Sequence, residues 1–259
     1  MLLDLYAGAI KDALAREQVI SRQQMQVLAE KAIPAIDPRN HLISASHVRV
    51  IAEIKRASPS RGKLATIEDA SELALIYEGA GAGAVSVLTE GRKFLGSLED
   101  LDAVRKAVSI PVLRKDFIAN EYQVFEARAH GADMVLLIAA GLERELLIRL
   151  KKLVEELGMT ALIETHNESE IGIACEAEAT LIGINARDLE TFETDRELFG
   201  KLASLIETDA IKIAESAVRS VEDVAEYASY GADCVLVGEA LVTGIAASLV
   251  RSFSNVQKP

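Results

Sequence analysis

From residue 49 onward, short aliphatic runs alternate with longer amphipathic stretches, and they do so eight times. Strand character marks 49–55, 83–88, 111–115, 133–138, 160–165, 180–185, 211–215 and 233–237. Helical periodicity marks 67–80, 97–108, 121–130, 143–157, 167–176, 195–206, 220–229 and 239–253. Strands this apolar belong to a parallel sheet covered by helices. An internal echo supports the reading. Gly83-Ala84-Val85-Ser86, Gly131-Ala132-Asp133-Met134 and Gly231-Ala232-Asp233-Cys234 each run from a glycine through a small residue into an aliphatic strand. The glycine suits the residue just past a helix end, where the chain must turn. These glycines lie 48 and then 100 residues apart, near two and four units of about 25 residues. The expected fold is α/β, a (β/α)8 TIM barrel. An open doubly wound sheet is the alternative, but no G-x-G-x-x-G turn follows the first strand.

Two helices precede the first strand. Leu3, Tyr6, Ile10 and Leu14 recur at helical spacing over 2–17, and Ser21 is the expected N-cap of a second helix reaching Lys31. Pro34 and Pro38 end it. They are too short to bury a core of their own. The chain therefore reads as one barrel domain, residues 48–259, with 1–47 as an N-terminal helical extension. Its 259 residues match the length of one such barrel, about 250.

A net charge of −12 argues against nucleic acid and anionic membranes as partners. Any anionic ligand then needs a local basic pocket. Cys175 and Cys234 sit in apolar contexts and read as buried thiols in a reducing compartment. Asp4, Lys11 and Asp12 leave no apolar segment for a secretory signal. The apolar run Met134 to Leu142 is too short to span a bilayer. A cytoplasmic protein, monomeric or a weak homo-oligomer, is expected.

Ligands of parallel α/β folds bind at the C-terminal ends of the strands. There the chain breaks its own apolar pattern. Glu53 and Lys55 are two residues apart and share one face of the first strand. Strand three ends Arg114-Lys115-Asp116, strand five at Glu164, strand six at Asn185 followed by Arg187, and strand seven at Glu215-Ser216. Any one of these alone reads as a solvated charge. Five strand ends carrying charged or amide groups point to a shared cavity with tuned acids and bases. Strand eight ends at Gly238, opening a helix. With Ser216 it is a candidate phosphate contact, since barrels often hold phosphate after strands seven and eight. Phe94 and Phe117, with Leu88 and Leu136, could wall a flat apolar ligand. The polar loop Arg56–Lys63 reads as a binding loop or a solvated connector. No metal-ligand spacing links His41, His47, His130 and His166, and His166, two residues from Glu164, reads either as a neighbour of the site or, preferred, as solvated in a loop.

Several of these stretches resemble the signature of the indole-3-glycerol phosphate synthase family. They are Ile51-Ala52-Glu53-Ile54-Lys55-Arg56-Ala57-Ser58-Pro59-Ser60, Leu88-Thr89-Glu90, Phe94-Leu95-Gly96-Ser97, Pro111 to Ile118, Gly183-Ile184-Asn185, Arg187-Asp188-Leu189 and Ala214-Glu215-Ser216. The resemblance implies the barrel with its helical extension and no metal or organic cofactor. It implies a phosphorylated small-molecule substrate, 1-(2-carboxyphenylamino)-1-deoxyribulose 5-phosphate, converted to indole-3-glycerol phosphate, carbon dioxide and water in tryptophan biosynthesis. It further implies Lys115 as the general acid of ring closure and Glu164 as its acid–base partner in later steps. Lys55 becomes a lysine that binds carboxylate or phosphate or itself delivers a proton in dehydration, the division of steps between the two lysines being open, and Glu53, Asn185 and Glu215 bind hydroxyls and orient the lysines. Arg187 faces the anthranilate carboxylate, while Ser58, Ser216 and Gly238 hold the sugar-phosphate end. The chain departs from the pattern at Ala217, where the family commonly has glycine, and at Gly91-Arg92. Two other readings compete. A phosphoribosyl-substrate isomerase would favour a Cys/Asp or Asp/Asp pair over Lys115/Glu164, and a non-catalytic subunit would have lost one of the charged strand ends.

Overall fold

The computed structural model describes residues 1–188, 191 and 193–259. Eight parallel strands close on themselves: β1 (Arg49–Ile54), β2 (Ala84–Leu88), β3 (Val112–Lys115), β4 (Met134–Ile138), β5 (Thr160–Thr165), β6 (Leu181–Asn185), β7 (Ile211–Glu215) and β8 (Cys234–Val237). Each pairs with its sequence neighbours, and β8 returns to β1 with Arg49 opposite Cys234 and Ala52 opposite Val237. The helices are α1 (Leu2–Val19), α2 (Arg22–Lys31), α3 (Arg39–Leu42), α4 (Ala70–Gly79), α5 (Leu98–Ala107), α6 (Glu121–Ala129), α7 (Arg144–Glu156), α8 (Glu168–Glu176), α9 (Leu198–Ala203), α10 (Val221–Ser229), α11 (Glu239–Thr243) and α12 (Ala246–Ser254). The expected TIM barrel is the observed one.

Strand alternation divides the core into two layers. Residues such as Val50, Ala52, Val85, Val135 and Ile163 turn outward and pack under the helices. Ile51, Leu113, Met134, Leu162, Ile213 and Leu236 turn inward and fill the barrel. Cys234 is inside too, buried as expected, its thiol donating to the Leu42 carbonyl at 3.1 Å. Several helices begin on the same device: Ser97, Asn120, Asn167 and Ser220 each accept a backbone N–H from three residues ahead. Each such cap contributes about 1 kcal/mol. Together they fix where the loops above the strands end.

The first 47 residues run the length of the barrel. Leu2, Leu5, Tyr6 and Ala9 of α1 pack with Phe117, Leu136 and Ile138 at the C-terminal ends of the strands. Ser21 caps α2 with a full capping box, and α2 lies along α6. Leu42 of α3 closes the opposite end. Of the four residues that the sequence periodicity selected on α1, only Tyr6 is buried. Leu3, Ile10 and Leu14 are exposed, while Leu2, Leu5, Tyr6, Ala9 and Ala13 are buried. The helix is apolar on both sides, so spacing alone could not decide.

Other boundaries differ for local reasons. The helix expected over 239–253 is two, because Gly244 adopts an extended conformation between α11 and α12. That expected over 195–206 is the shorter α9. The loop after β1 contains a small antiparallel pairing of Ala57–Ser58 with Gly62–Lys63. The chain's last residues clasp its first strand, with Val48 N–H donating to Val256 and Lys258 N–H to Ser46, both at 2.9 Å. Among the described residues no helix is long and apolar enough to cross a membrane.

Candidate active site

A cavity of ≈ 600 Å³ opens at the C-terminal ends of the strands, and the candidate site residues singled out from the sequence, Arg114 excepted, line it. Leu189, part of one signature stretch, lies outside the described residues.

On β1, alternation turns Glu53 inward, and Lys55 follows it on the same side. Their Oε1 and Nζ are 2.7 Å apart. The pair rests on Gly238. A Cβ built there would strike the Glu53 carboxylate and stand 3.1 Å from Lys55 Nζ. Gly238 has a φ of −120°, so close approach, not conformational freedom, requires glycine here.

Lys115, at the end of β3, reaches across the barrel. Its ammonium donates to Glu215 Oε2 at 2.9 Å and to Glu164 Oε2 at 3.1 Å. Burial opposes its charge, but Glu215 and Glu164 outweigh that and hold its pKa well above the ordinary lysine value. The two carboxylates respond differently. Burial pushes Glu215 up, against the pull of Lys115, and the charge of Glu164 adds to the rise. Burial would raise Glu164 as well, but Lys115, His166 and Asn185 reverse the shift and hold it low. One acid of the pair retains a proton more readily and the other stays ionised.

Arg114 is not part of this site. Alternation sends it to the other side of β3, where it is fully buried. There it donates to Thr89 Oγ1 (3.1 Å), Asp116 Oδ2 (2.9 Å), Glu126 Oε2 (3.0 Å) and the Gln123 carbonyl (3.0 Å). Arg16 of α1 grips the same Glu126 through two bonds of 2.6 and 2.8 Å. The charged end of β3 thus splits between the mouth and an ionic network that ties α1 to the barrel.

Asn185, at the end of β6, joins the acid–base cluster to the next loop. Its Nδ2 donates to Glu164 Oε1 at 3.0 Å. Its Oδ1 accepts from Ser216 Oγ at 2.7 Å and from the Arg187 backbone N–H at 3.0 Å. Beyond β7, Ser216 and Ala217 both have positive φ, 70° and 60°. For residues with a Cβ this left-handed conformation costs about 1–2 kcal/mol each. The departure noted at Ala217 therefore falls on a strained backbone bordering the cavity.

Leu88, Phe94, Phe117 and Leu136 lie on the apolar side of the cavity, and α1 adds to it. Phe94 and Phe117 rings lie 6.1 Å apart, and the Tyr6 ring meets Phe117 edge-on at 5.6 Å. Leu5 itself lines the cavity. Gly141 permits the approach of α1, since a Cβ there would overlap the Tyr6 ring. Nothing in the sequence of α1 distinguished these residues from ordinary core. The preferred reading of His166 as solvated is corrected. Its side chain is only 13% exposed, with Nε2 3.3 Å from Glu164 Oε1 and Nδ1 3.1 Å from Glu170 Oε2. Its place two residues after Glu164 was the available signal.

Several polar atoms around the cavity are left unsatisfied. Glu53 Oε2, Glu215 Oε1 and Ser58 Oγ are buried without a hydrogen-bond partner. Buried polar groups are normally paired, and a ligand rich in hydroxyl groups would satisfy these. Among the described residues no group of three or more His, Cys, Asp and Glu side chains is arranged to hold a metal ion.

Paired lysines and carboxylates at the mouth of a closed parallel barrel, beside an aromatic wall, define a (β/α)8 enzyme with an acid–base site. The chain belongs to the indole-3-glycerol phosphate synthase family of carboxy-lyases, whose model matches residues 3–251. It is 53% identical to the indole-3-glycerol phosphate synthase of Leifsonia xyli subsp. xyli, covering 99% of this chain and 98% of that one. It is 56% identical to that of a Parafrankia species, covering 94% and 90%, respectively. Among solved structures, 3-hexulose-6-phosphate synthase from Salmonella typhimurium superposes with a TM-score of 0.62 at 16% identity, covering 80% of this chain and 97% of that one. That likeness is one of fold.

Proposed function

We propose that the protein is a cytoplasmic enzyme that converts 1-(2-carboxyphenylamino)-1-deoxyribulose 5-phosphate to indole-3-glycerol phosphate, carbon dioxide and water, in tryptophan biosynthesis. The observation that carries the mechanism is Lys115, fully charged and suspended between Glu164 and Glu215 at the cavity floor.

Ring closure needs an acid. As the aromatic carbon bearing the carboxylate attacks the ribulose carbonyl carbon, the carbonyl oxygen becomes an alkoxide. Lys115 donates its proton to that oxygen. A lysine held this firmly releases a proton only to a strong base, so transfer accompanies bond formation. Loss of carbon dioxide then returns the bonding electrons to the ring. Dehydration completes the reaction. Glu164, held ionised, takes the proton from the carbon beside the nitrogen, and the hydroxyl leaves as water after protonation by a lysine. Lys55 stands across the cavity as the second cation and binds anionic groups of the substrate.

The other contacts follow from charge and shape. Phe94, Phe117 and Leu136 pack the aromatic ring, and Arg187 faces its carboxylate. Glu53, Asn185 and Glu215 accept hydroxyls and orient the lysines, which would occupy the open oxygens of Glu53 and Glu215. Ser58, Ser216 and Gly238 hold the sugar-phosphate end. One barrel domain, with residues 1–47 as its extension, carries the whole site, in a monomer or weak homo-oligomer.

The test is direct. Purified protein mixed with the substrate should develop indole fluorescence, and a folded barrel giving no turnover would reject the assignment.

A further inference from the structure

Two hydrogen-bond donors and one neighbouring imidazole converge on Glu164. Lys115 and Asn185 come from the barrel interior, at 3.1 and 3.0 Å. The third, His166, lies outside the cavity, just past β5, and reaches back to within 3.3 Å of Oε1. It is gripped from behind. Glu170 Oε2 accepts the His166 backbone N–H at 2.7 Å and lies 3.1 Å from Nδ1. The other Glu170 oxygen is taken by Asn167 Nδ2 at 2.6 Å, and Asn167 caps the helix that carries Glu170. Each imidazole nitrogen lies within 3.3 Å of a carboxylate oxygen, though only Nδ1 is hydrogen-bonded. Two carboxylates on either side favour the charged form of the ring.

The consequence concerns two acids and one lysine. Glu164 and Glu215 share Lys115, and one cation cannot hold two buried carboxylates ionised equally well. A second cation touching only Glu164 breaks the tie. We propose that His166, braced by Glu170, is a positioning residue that fixes the orientation of Glu164 and keeps it the ionised member of the pair. This rests on the reading of Glu164 as the base in the later steps. The direction of the shifts agrees: Glu164 is held low and Glu215 is pushed up, while His166 rises to about 10 because its two carboxylates outweigh burial. The titratable groups facing Glu164 are Lys115 from β3, Glu215 from β7, Tyr6 from α1 and His166 itself, and Glu170 faces His166.

Removing this cation raises the pKa of Glu164, so the base is lost at higher pH than in the wild type. The experiment is the pH profile of synthase turnover in His166→Gln, whose amide can still donate toward Glu164 but carries no charge. The acidic limb of kcat should move up by about one unit, a tenfold loss on that limb, with KM changed less than about twofold. His166→Ala should lose more at every pH, because the side chain that packs beside Glu164 goes too. Glu170→Gln, which leaves the barrel interior untouched, should move the limb the same way by a smaller amount, and decides the matter if His166→Gln does not fold. An unmoved limb, or a loss confined to KM, overturns the proposal while leaving the synthase assignment standing. Absence of turnover in the wild type overturns both.

Discussion

The two ends of the barrel use the same side chains for opposite purposes. At the N-terminal end, Asp133 and Asp233 occupy equivalent places in the sequence echo. Each backbone N–H donates to the strand beside it, Asp133 to Val112 and Asp233 to Lys212, both at 2.9 Å. Each carboxylate accepts the N–H of that same residue, at 2.8 and 3.0 Å. The second oxygen is also engaged, by Ile36 N–H at 2.8 Å for Asp133 and by Lys258 Nζ at 2.6 Å for Asp233. Arg105 adds a further bond to Asp133. These carboxylates are saturated by the chain itself. At the C-terminal end, Glu53 and Glu215 each keep a buried oxygen with no donor, and the backbone at Ser216 and Ala217 is strained. Saturation stabilises a fold, while open acceptors and strain cost stability and are kept where a ligand completes them.

The comparison can be broken from either end. The largest effect is expected at the mouth: Lys115→Ala should lower kcat about 10²–10⁴-fold while circular dichroism still reports a folded barrel. Near-normal turnover would remove Lys115 as the acid. At the other end, Asp133→Ala should cost about 3 kcal/mol of stability by leaving Arg105 and two N–H groups without their partner. Denaturant titration measures that loss, and kcat of the folded variant should stay within about twofold of wild type. A matching collapse of kcat would mean that the two ends are not separable. Ala217→Gly should relieve roughly 1 kcal/mol of strain, visible as a higher melting temperature. It should also lower KM if the methyl group crowds the phosphate, and an unchanged or raised KM would sink the crowding idea. The smallest effect is on pH dependence. The pKa of His166 is raised in the fold from 6.5 to about 10, so its contribution to stability is complete below 6.5 and is lost as pH rises toward 10. His166→Asn should flatten that part of the stability curve, and a variant curve parallel to the wild type would contradict it.

Much of this was legible in the chain because barrel strands advertise themselves. Their aliphatic runs end abruptly in charge, and alternation assigns Glu53, Lys115, Glu164, Asn185 and Glu215 to one interior. The same rule, applied one residue over, would have sent Arg114 away from the mouth. Other features depend on contacts between distant segments. Gly238 reads as a phosphate contact, and only the fold shows Glu53 and Lys55 resting on it. Tyr6 and Leu5 read as core because α1 has two apolar sides, and only docking selects one. His166 looks solvated until Glu170 is placed behind it. These are tertiary facts without a local pattern.

The seat that Gly238 provides for Glu53 and Lys55 also orders events during synthesis. Glu53 and Lys55 leave the ribosome early, whereas β8 emerges almost last. A domain generally folds as a unit. Until β8 is delivered, the barrel lacks both the strand that closes it beside β1 and the glycine surface beneath its first charged pair. A chain that ends before β8 carries these acids and bases but lacks the glycine surface on which Glu53 and Lys55 rest.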